Sequence, residues 1–142
     1  MSRVRNIIEG REIYAVEDTQ PVAEVLRRMA DLRVGAILVL RGAELRGVFS
    51  ERDLMVRVVL AGLDPATTPV SQVMSTELAT VDESATVEQA MELMKANNCR
   101  HLPVMRGPAV AGFLSMRDLM HHELARKTEE IQNMRAYIHG AA

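Results

Sequence analysis

Two short stretches of the sequence carry chemically active side chains at the same spacing: Gly-Val-Phe-Ser-Glu-Arg-Asp at 47–53 and Gly-Phe-Leu-Ser-Met-Arg-Asp at 112–118. If a helix begins at the serine, its free backbone amides and positive dipole end suit a phosphate group. The serine hydroxyl adds a donor, the arginine can pair with phosphate, and the aspartate can accept hydrogen bonds from ribose hydroxyls. The residues concerned are Ser50, Arg52 and Asp53 in the first stretch and Ser115, Arg117 and Asp118 in the second.

The same spacing has a purely structural explanation. A serine followed three residues later by an acid forms a capping box. In it the serine oxygen accepts from the acid's amide and the acid accepts from the serine's amide. Gly47 and Gly112 would then only allow a strand to bend. These residues alone leave the nucleotide-binding and the capping interpretations both open.

The elements that must position these corners are also duplicated. Sliding the chain by 65 residues aligns 15–55 with 80–120 without a gap, and twelve of the 41 aligned positions are identical; unrelated sequences of ordinary composition share about two or three. Each copy predicts a β-α-β-β-α unit. Its first helix has apolar residues at i, i+3, i+4 and i+7, and a tight turn at Arg-Gly joins its last two strands. Caps for the first helices are expected at Asp18 and Thr19, and at Glu83 and Ser84.

The copies predict an α+β fold of two repeats. One unit of about 50 residues buries too little apolar surface to be stable alone. The two are therefore expected to face each other across a pseudo-twofold axis, with their sheets packed face to face and their helices outside. The expected bounds are 7–62 for the first repeat, 63–76 for a linker with one short helical turn, 77–124 for the second repeat and 125–142 for a helical tail.

The predicted tail carries an apolar repeat. Leu124, Ile131 and Ile138 recur every seven residues, with Met134 beside them. This spacing fits a helix packed against its own domain, and equally a seam to a second protomer. Both arrangements stay open from the sequence.

Bulk composition excludes several function classes. The chain has 142 residues, 48% of them hydrophobic, and a net charge of −2, so we expect a globular protein with no general affinity for nucleic acid or anionic membranes. No apolar run approaches a membrane span, and the polar N-terminus does not predict a secretory signal. The single cysteine, Cys99, cannot form an internal disulfide and fits a reducing cytoplasm.

Enzymatic and metal-binding functions have weak support. The neighbouring His121 and His122 point about 100° apart on a helix, so no metal site is expected. Cys99 and His101 could form a nucleophile and base, but no oxyanion site accompanies them. No Gly-x-x-x-x-Gly-Lys phosphate loop occurs. We therefore do not expect an enzyme.

The duplicated unit, with each copy ending in Gly-h-h-Ser-x-x-Asp (h, apolar), resembles the cystathionine-β-synthase (CBS) domain family, whose tandem pairs form a Bateman module. The segments 33–39 and 100–104 resemble the family's middle strands, and 68–75 resembles the usual entry to a second copy. The ending at 136–140 is similar to that of small stand-alone bacterial members. The resemblance covers residues from about 7 to 124.

This resemblance implies two clefts between the copies that hold an adenine nucleotide (AMP, ADP, ATP or NAD) or S-adenosylmethionine, without a metal. Asp53 and Asp118 would bind ribose hydroxyls, with Ser50 and Ser115 near the ribose or α-phosphate. Residues at the positions of Arg100 and His101 approach phosphates in relatives that sense adenylates. Adenine would lie beside the segments 13–16, 34–37, 78–80 and 100–103, the last of which includes Pro103.

The two copies differ where a ligand would lie. Glu51 in the first copy corresponds to Met116 in the second, and the segment 34–36 corresponds to Cys99-Arg100-His101. A carboxylate at Glu51 would disfavour a nearby phosphate. We therefore predict that the cleft at Asp118 binds better than the cleft at Asp53.

The function predicted from these features is that of a regulatory sensor. It would bind an adenine nucleotide, form a disc-shaped homodimer, and relay energy or redox state to a separate effector protein whose identity the sequence does not indicate. The alternatives are a dimerisation scaffold that binds no ligand, a sensor of S-adenosylmethionine and, less favoured, a small hydrolase.

Overall fold

Two three-stranded sheets flanked by helices form the protein in a computed structural model that describes residues 2–140. Met1 and the last two residues of the expected tail, Ala141 and Ala142, lie outside the described residues. The helices are α1 (Val4–Ile8), α2 (Val22–Leu32), α3 (Glu51–Asp53), α4 (Val87–Ala96) and α5 (Met116–Gly140). The strands are β1 (Ala15–Glu17), β2 (Ala36–Arg41), β3 (Glu44–Ser50), β4 (Val81–Asp82), β5 (His101–Arg106) and β6 (Ala109–Ser115).

The two sheets have the same topology. In the first, β1 pairs parallel with β2, which pairs antiparallel with β3; β4, β5 and β6 repeat this order. In both antiparallel strand pairs the register shifts directly after the same valine, between Val39 and Leu40 in the first copy and between Val104 and Met105 in the second. Both turn at a glycine with positive φ, 61° at Gly42 and 60° at Gly107, a conformation that glycine adopts without steric cost. The predicted α+β fold of two repeats is confirmed, with β3 lying against β6 between them.

The amphipathic helices begin later than their expected caps. Helix α4 is capped by Thr86, whose oxygen accepts from the amide of Gln89 at 3.1 Å, and Pro21 precedes α2. The expected caps at Asp18, Thr19, Glu83 and Ser84 are therefore wrong. Two of these residues bind the arginine at the end of a neighbouring strand instead, since Arg41 donates to Asp18 at 3.0 Å and Arg106 donates to Glu83 at 2.8 Å.

Each sheet is completed by the segment that precedes the other copy. Val4 and Ile8 of α1 belong to the core of the second copy, and Ile8 lies so close to Gly112 that a Cβ there would be 3.0 Å from its side chain. The 3₁₀ turn Val70–Gln72, at the expected helical turn, starts the equivalent segment on the first copy. There a Cβ on Gly47 would be 2.7 Å from the sulfur of Met74. These two glycines therefore provide close packing for the crossing segments.

The helices that follow the two Ser-Asp corners differ. After α3 the chain continues as a π-helix, Leu54–Val59, and leaves the helix before Gly62. Helix α5 runs without a break from Met116 to Gly140, and every residue from 124 to 140 is exposed. The predicted helical tail is thus continuous with the last helix of the second copy; its start touches α4 where Arg126 lies 3.5 Å from Glu88, and its apolar residues are exposed.

Candidate functional site

Both Ser-Asp corners form capping boxes at the start of a helix. The amide of Ser115 donates to Oδ2 of Asp118 at 2.9 Å, and the amide of Asp118 donates to the serine oxygen at 3.0 Å. The equivalent bonds between Ser50 and Asp53 measure 3.0 and 3.3 Å. The structural explanation is therefore confirmed at both corners, and a nucleotide-binding role depends on what the second carboxylate oxygen faces.

At the first corner the second oxygen of the carboxylate is covered. Ser75 donates its hydroxyl to Oδ1 of Asp53 at 2.8 Å, and the guanidinium of Arg57 lies 3.6 Å from the same oxygen. Ser75 is fixed by a two-bond backbone bridge to Val48. The residue Asp53 is only 6% exposed. Its carboxylate therefore joins the helix start to the crossing segment and leaves no oxygen free for a ligand.

At the second corner the remaining oxygen faces a cavity. Oδ1 of Asp118 lies 2.9 Å from the guanidinium of Arg11, and the aspartate side chain is 21% exposed. Partial burial raises the pKa of Asp118. The hydrogen bonds from Ser115 and Arg11 and the charge of Arg11 outweigh this effect and hold the pKa below its usual value. This carboxylate is therefore ionised near neutral pH and bound at its open oxygen by one side chain.

The cavity beside Asp118 lies between the two copies and has a volume of about 540 Å³, a size that suits a small organic ligand. The first copy and the segment before it contribute Ile8, Arg11, Glu12, Tyr14, Arg33, Val34, Gly35 and Ala36; the second contributes His101, Gly112, Phe113, Ser115, Arg117 and Asp118. Its wall thus combines apolar side chains and a small-residue backbone with three guanidinium groups.

A stacked pair of rings forms part of this wall. The imidazole of His101 lies 5.2 Å from the ring of Phe113, centre to centre, with an angle of 27° between the planes. Burial lowers the pKa of His101, against the opposing effect of the Asp118 and Glu51 charges. The imidazole that lines the cavity is therefore neutral near pH 7.

The cavity brings together four of the nine residues predicted to bind the nucleotide: His101, Ser115, Arg117 and Asp118. Ser50 and Asp53 lie at the covered corner, and the exposed Arg52 and Arg100 do not line the cavity. Pro103 is buried within β5, opposite Phe113. The expected adenine-binding segments 13–16 and 34–37 both contribute to the wall.

Glu51 lies elsewhere than expected. Its carboxylate lies over Gly35, 3.4 Å from where a Cβ would stand, and Gly35 is itself part of the cavity wall at the second corner. The difference between the two corners therefore arises from Ser75 and Arg57 rather than from repulsion by Glu51.

The sequence reasoning missed Arg11, Glu12, Arg33 and Ser75. Arg11 and Glu12 precede the aligned repeat, so no comparison of the copies could reveal them. For Arg33 the sequence offered one indication, because it aligns with Asn98 of the second copy. Both residues adopt a positive φ, 58° for Arg33 and 49° for Asn98. Ser75 follows the crossing segment, and its role depends on a bridge formed only in the folded chain.

Two further observations concern other kinds of site. Within residues 2–140 no three His, Cys, Asp or Glu side chains are grouped so that they could hold a metal ion. Among the helices of this described part, none combines the length and hydropathy needed to cross a membrane.

Comparison with known proteins agrees with the duplicated fold. The chain is 32% identical over 137 residues to the CBS domain-containing protein CBSX3, mitochondrial, of Arabidopsis thaliana; the match covers 93% of this chain and 66% of that relative's length. The solved structure of a protein with CBS domains from Burkholderia ambifaria MC40-6 matches with a TM-score of 0.82 and 32% identity, covering 87% of this chain and 95% of the other.

A third similar protein was solved with a nucleotide. It is the CBS domain protein PAE2072 from Pyrobaculum aerophilum complexed with AMP, which matches with a TM-score of 0.74 and 28% identity, covering 82% of this chain and 88% of that one. The CBS domain family itself matches this chain twice, at residues 4–59 and 70–125. With both copies matched and the fold shared, the chain belongs to the CBS domain family and carries two CBS domains in tandem.

Proposed function

We propose that this chain is a regulatory module that binds an adenine nucleotide in the cavity beside Asp118. The observation that carries the proposal is the orientation of the Asp118 carboxylate, which caps α5 with one oxygen and presents the other to a cavity of nucleotide size. That oxygen can accept hydrogen bonds from ribose hydroxyls. The AMP complex of the similar protein PAE2072 supports the choice of ligand class.

The surrounding residues suit the other parts of a nucleotide. The N-terminus of α5 lies at the cavity edge, where the positive end of the helix dipole attracts phosphate, and Arg117 lies beside it. Tyr14, Val34 and Ala36 supply an apolar wall for a base. The proposed site thus takes its acid and Arg117 from the second copy, and Arg11, Arg33 and its base-binding wall from the first copy and the segment before it.

The first corner is proposed to be structural. Asp53 has both oxygens bonded and is nearly inaccessible, so a ligand there would have to break the bond from Ser75 and open the bridge to Val48. One nucleotide per chain is therefore expected, in agreement with the asymmetry predicted from the sequence.

Calorimetry with AMP, ADP, ATP, NAD and S-adenosylmethionine tests this assignment. We expect one site per chain, with binding weakened by about ten-fold or more in Asp118→Ala and retained in the matched control Asp53→Ala. Absence of heat and of any thermal shift with all five compounds would support a ligand-free scaffold instead. Mass spectrometry of small molecules carried through purification identifies the native compound.

We further propose that two chains form a homodimer through the helices that follow the corners. Met55 and Met120 are equivalent residues 65 positions apart, as are Val59 and Leu124, and all four are more than half exposed. These exposed apolar side chains occupy equivalent positions in the two copies, so they suit an interface with a second chain. Monomeric proteins rarely expose an apolar patch of this kind to solvent.

Light scattering after size exclusion measures this association. We expect a dimer for the full chain and a weakened dimer for Met120→Glu, whereas Arg28→Glu on the exposed face of α2 should have no effect. A chain cut after Glu123 shows whether the tail contributes. A monomeric full chain at micromolar concentration would contradict the proposed interface.

In the proposed mechanism, a nucleotide bridging the two copies changes their relative orientation, and a separate protein reads that change. A ligand shifts such an equilibrium only by its difference in affinity for the two arrangements. The cavity wall drawn from both copies supplies that difference, because its area changes when the copies move relative to each other.

A further inference from the structure

The acid that faces the cavity is already paired with a cation that comes from outside the aligned repeats. Arg11 lies between α1 and β1, and its guanidinium is 2.9 Å from Oδ1 of Asp118. A ribose hydroxyl would need this same oxygen. Any ligand that uses Asp118 in the proposed way must therefore displace Arg11 or share the carboxylate with it.

The two corners differ in how firmly they are covered. At Asp53 the covering residue is Ser75, whose backbone is bridged to Val48, so uncovering that corner requires the chain itself to move. At Asp118 the cover is one long side chain that is 47% exposed. Arg11 can therefore swing away by side-chain rotation while the backbone behind it stays in place.

The backbone behind Arg11 is well anchored. Ile8 packs against Gly112, and the amide of Arg11 donates to the carbonyl of Ile8 at 3.1 Å. Rotation about the side-chain bonds thus moves the guanidinium within the cavity mouth but cannot carry it far from the site. A displaced Arg11 remains close to whatever occupies the cavity.

The charges around the cavity decide which ligand can displace it. The wall contains the guanidinium groups of Arg11, Arg33 and Arg117 against the carboxylates of Glu12 and Asp118, and the carboxylate of Glu51 lies over the wall residue Gly35. Within residues 2–140, neither Arg33 nor Arg117 forms an ion pair. A neutral ligand would leave a displaced Arg11 among like charges, whereas a phosphorylated ligand would offer it a new partner.

We propose, on the basis of the function proposed above, that Arg11 is a specificity-determining residue that selects phosphorylated ligands over neutral or cationic ones. Before binding, it occupies the oxygen that the ribose needs. A nucleotide releases Arg11 and rebinds it through phosphate, whereas adenosine only breaks the pair with Asp118. The selection therefore depends on competition for Asp118 and on the anchored position of Arg11.

The test compares the dissociation constants of adenosine and AMP for the wild type, Arg11→Gln and the charge-matched control Arg28→Gln, which alters an exposed position on α2. Loss of a half-exposed ion pair should let adenosine bind about three-fold more tightly to Arg11→Gln. Loss of a charge-assisted phosphate contact costs AMP about ten-fold, and the same relief at Asp118 reduces the net weakening of AMP binding to about three-fold. The AMP preference over adenosine therefore falls by about ten-fold, while the control keeps it.

A second variant guards against a general effect of the substitution. Arg11→Lys keeps the charge but lacks the planar fork of donors, so its AMP preference should lie between those of the wild type and Arg11→Gln. Equal changes for both ligands in Arg11→Gln, or no change, would overturn the role of Arg11 while leaving the nucleotide site intact. Failure of the wild type to bind either ligand would overturn the proposed function, and this inference with it.

Discussion

The two duplicated aspartates should separate into one that stabilises the fold and one that binds ligand, although their sequence contexts are nearly identical. Asp53→Ala removes the acceptor for the Ser50 amide and leaves Ser75 and Arg57 without their carboxylate. A lost helix cap costs about 1 kcal/mol. Hydrogen bonds to a charged group contribute about 1.5–3 kcal/mol each. Because Arg57 remains half exposed, we expect a total loss near 3 kcal/mol.

Asp118→Ala should cost much less stability. It removes a similar cap bond from Ser115, but the ion pair with Arg11 is partly exposed and contributes little. A loss of about 1 kcal/mol is expected. For a domain of this size about 3–4 °C of Tm corresponds to each kcal/mol. The expected decreases in Tm are therefore about 10 °C for Asp53→Ala and about 3–4 °C for Asp118→Ala.

Thermal unfolding followed by circular dichroism, combined with calorimetry on the same samples, measures both effects. AMP binding should weaken by about ten-fold or more in Asp118→Ala and stay within about two-fold of the wild type in Asp53→Ala. Equal losses of Tm, or loss of AMP binding in a folded Asp53→Ala protein, would refute the assignment of one structural and one ligand-binding corner.

Two further predictions concern the same crossing segments. The pKa of Asp118 is lowered in the folded chain, so the stability it contributes is present above its unfolded pKa of about 4 and is lost as the pH falls through the lower folded value. The decrease in Tm on acidification should therefore be smaller in Arg11→Gln than in the wild type. Identical acid profiles of Tm for the two proteins would count against the ion pair. Gly47→Ala should destabilise the protein by about 1–3 kcal/mol in urea titrations, because its Cβ would meet the sulfur of Met74 and a backbone oxygen at 2.7 Å. Gly112→Ala should cost less, since only an aliphatic side chain lies near, at 3.0 Å; a reversed order would show that the crossing segments do not pack as described.

The duplication explains why the architecture was predictable. The 65-residue repeat carries apolar spacing for one helix, an Arg-Gly turn and the Ser-Asp corner in both copies, and each of these depends on residues close together in the chain. The succession of strands and helices and the position of the turn followed from these local patterns, as did the capping boxes. The expected helix caps at Asp18 and Glu83 failed because both residues bind arginines 23 positions away, and local spacing carries no information about such contacts.

The sequence by itself determined two CBS repeats and the helix-capping corners, because short-range geometry sets both. Only the tertiary structure decided that the corners differ in accessibility. Ser75 contacts Asp53 and Arg11 contacts Asp118 through segments that cross from one copy to the other. Both Ser75 and Arg11 lie outside the aligned ranges 15–55 and 80–120. Long-range packing thus covers one carboxylate and leaves the other facing the cavity.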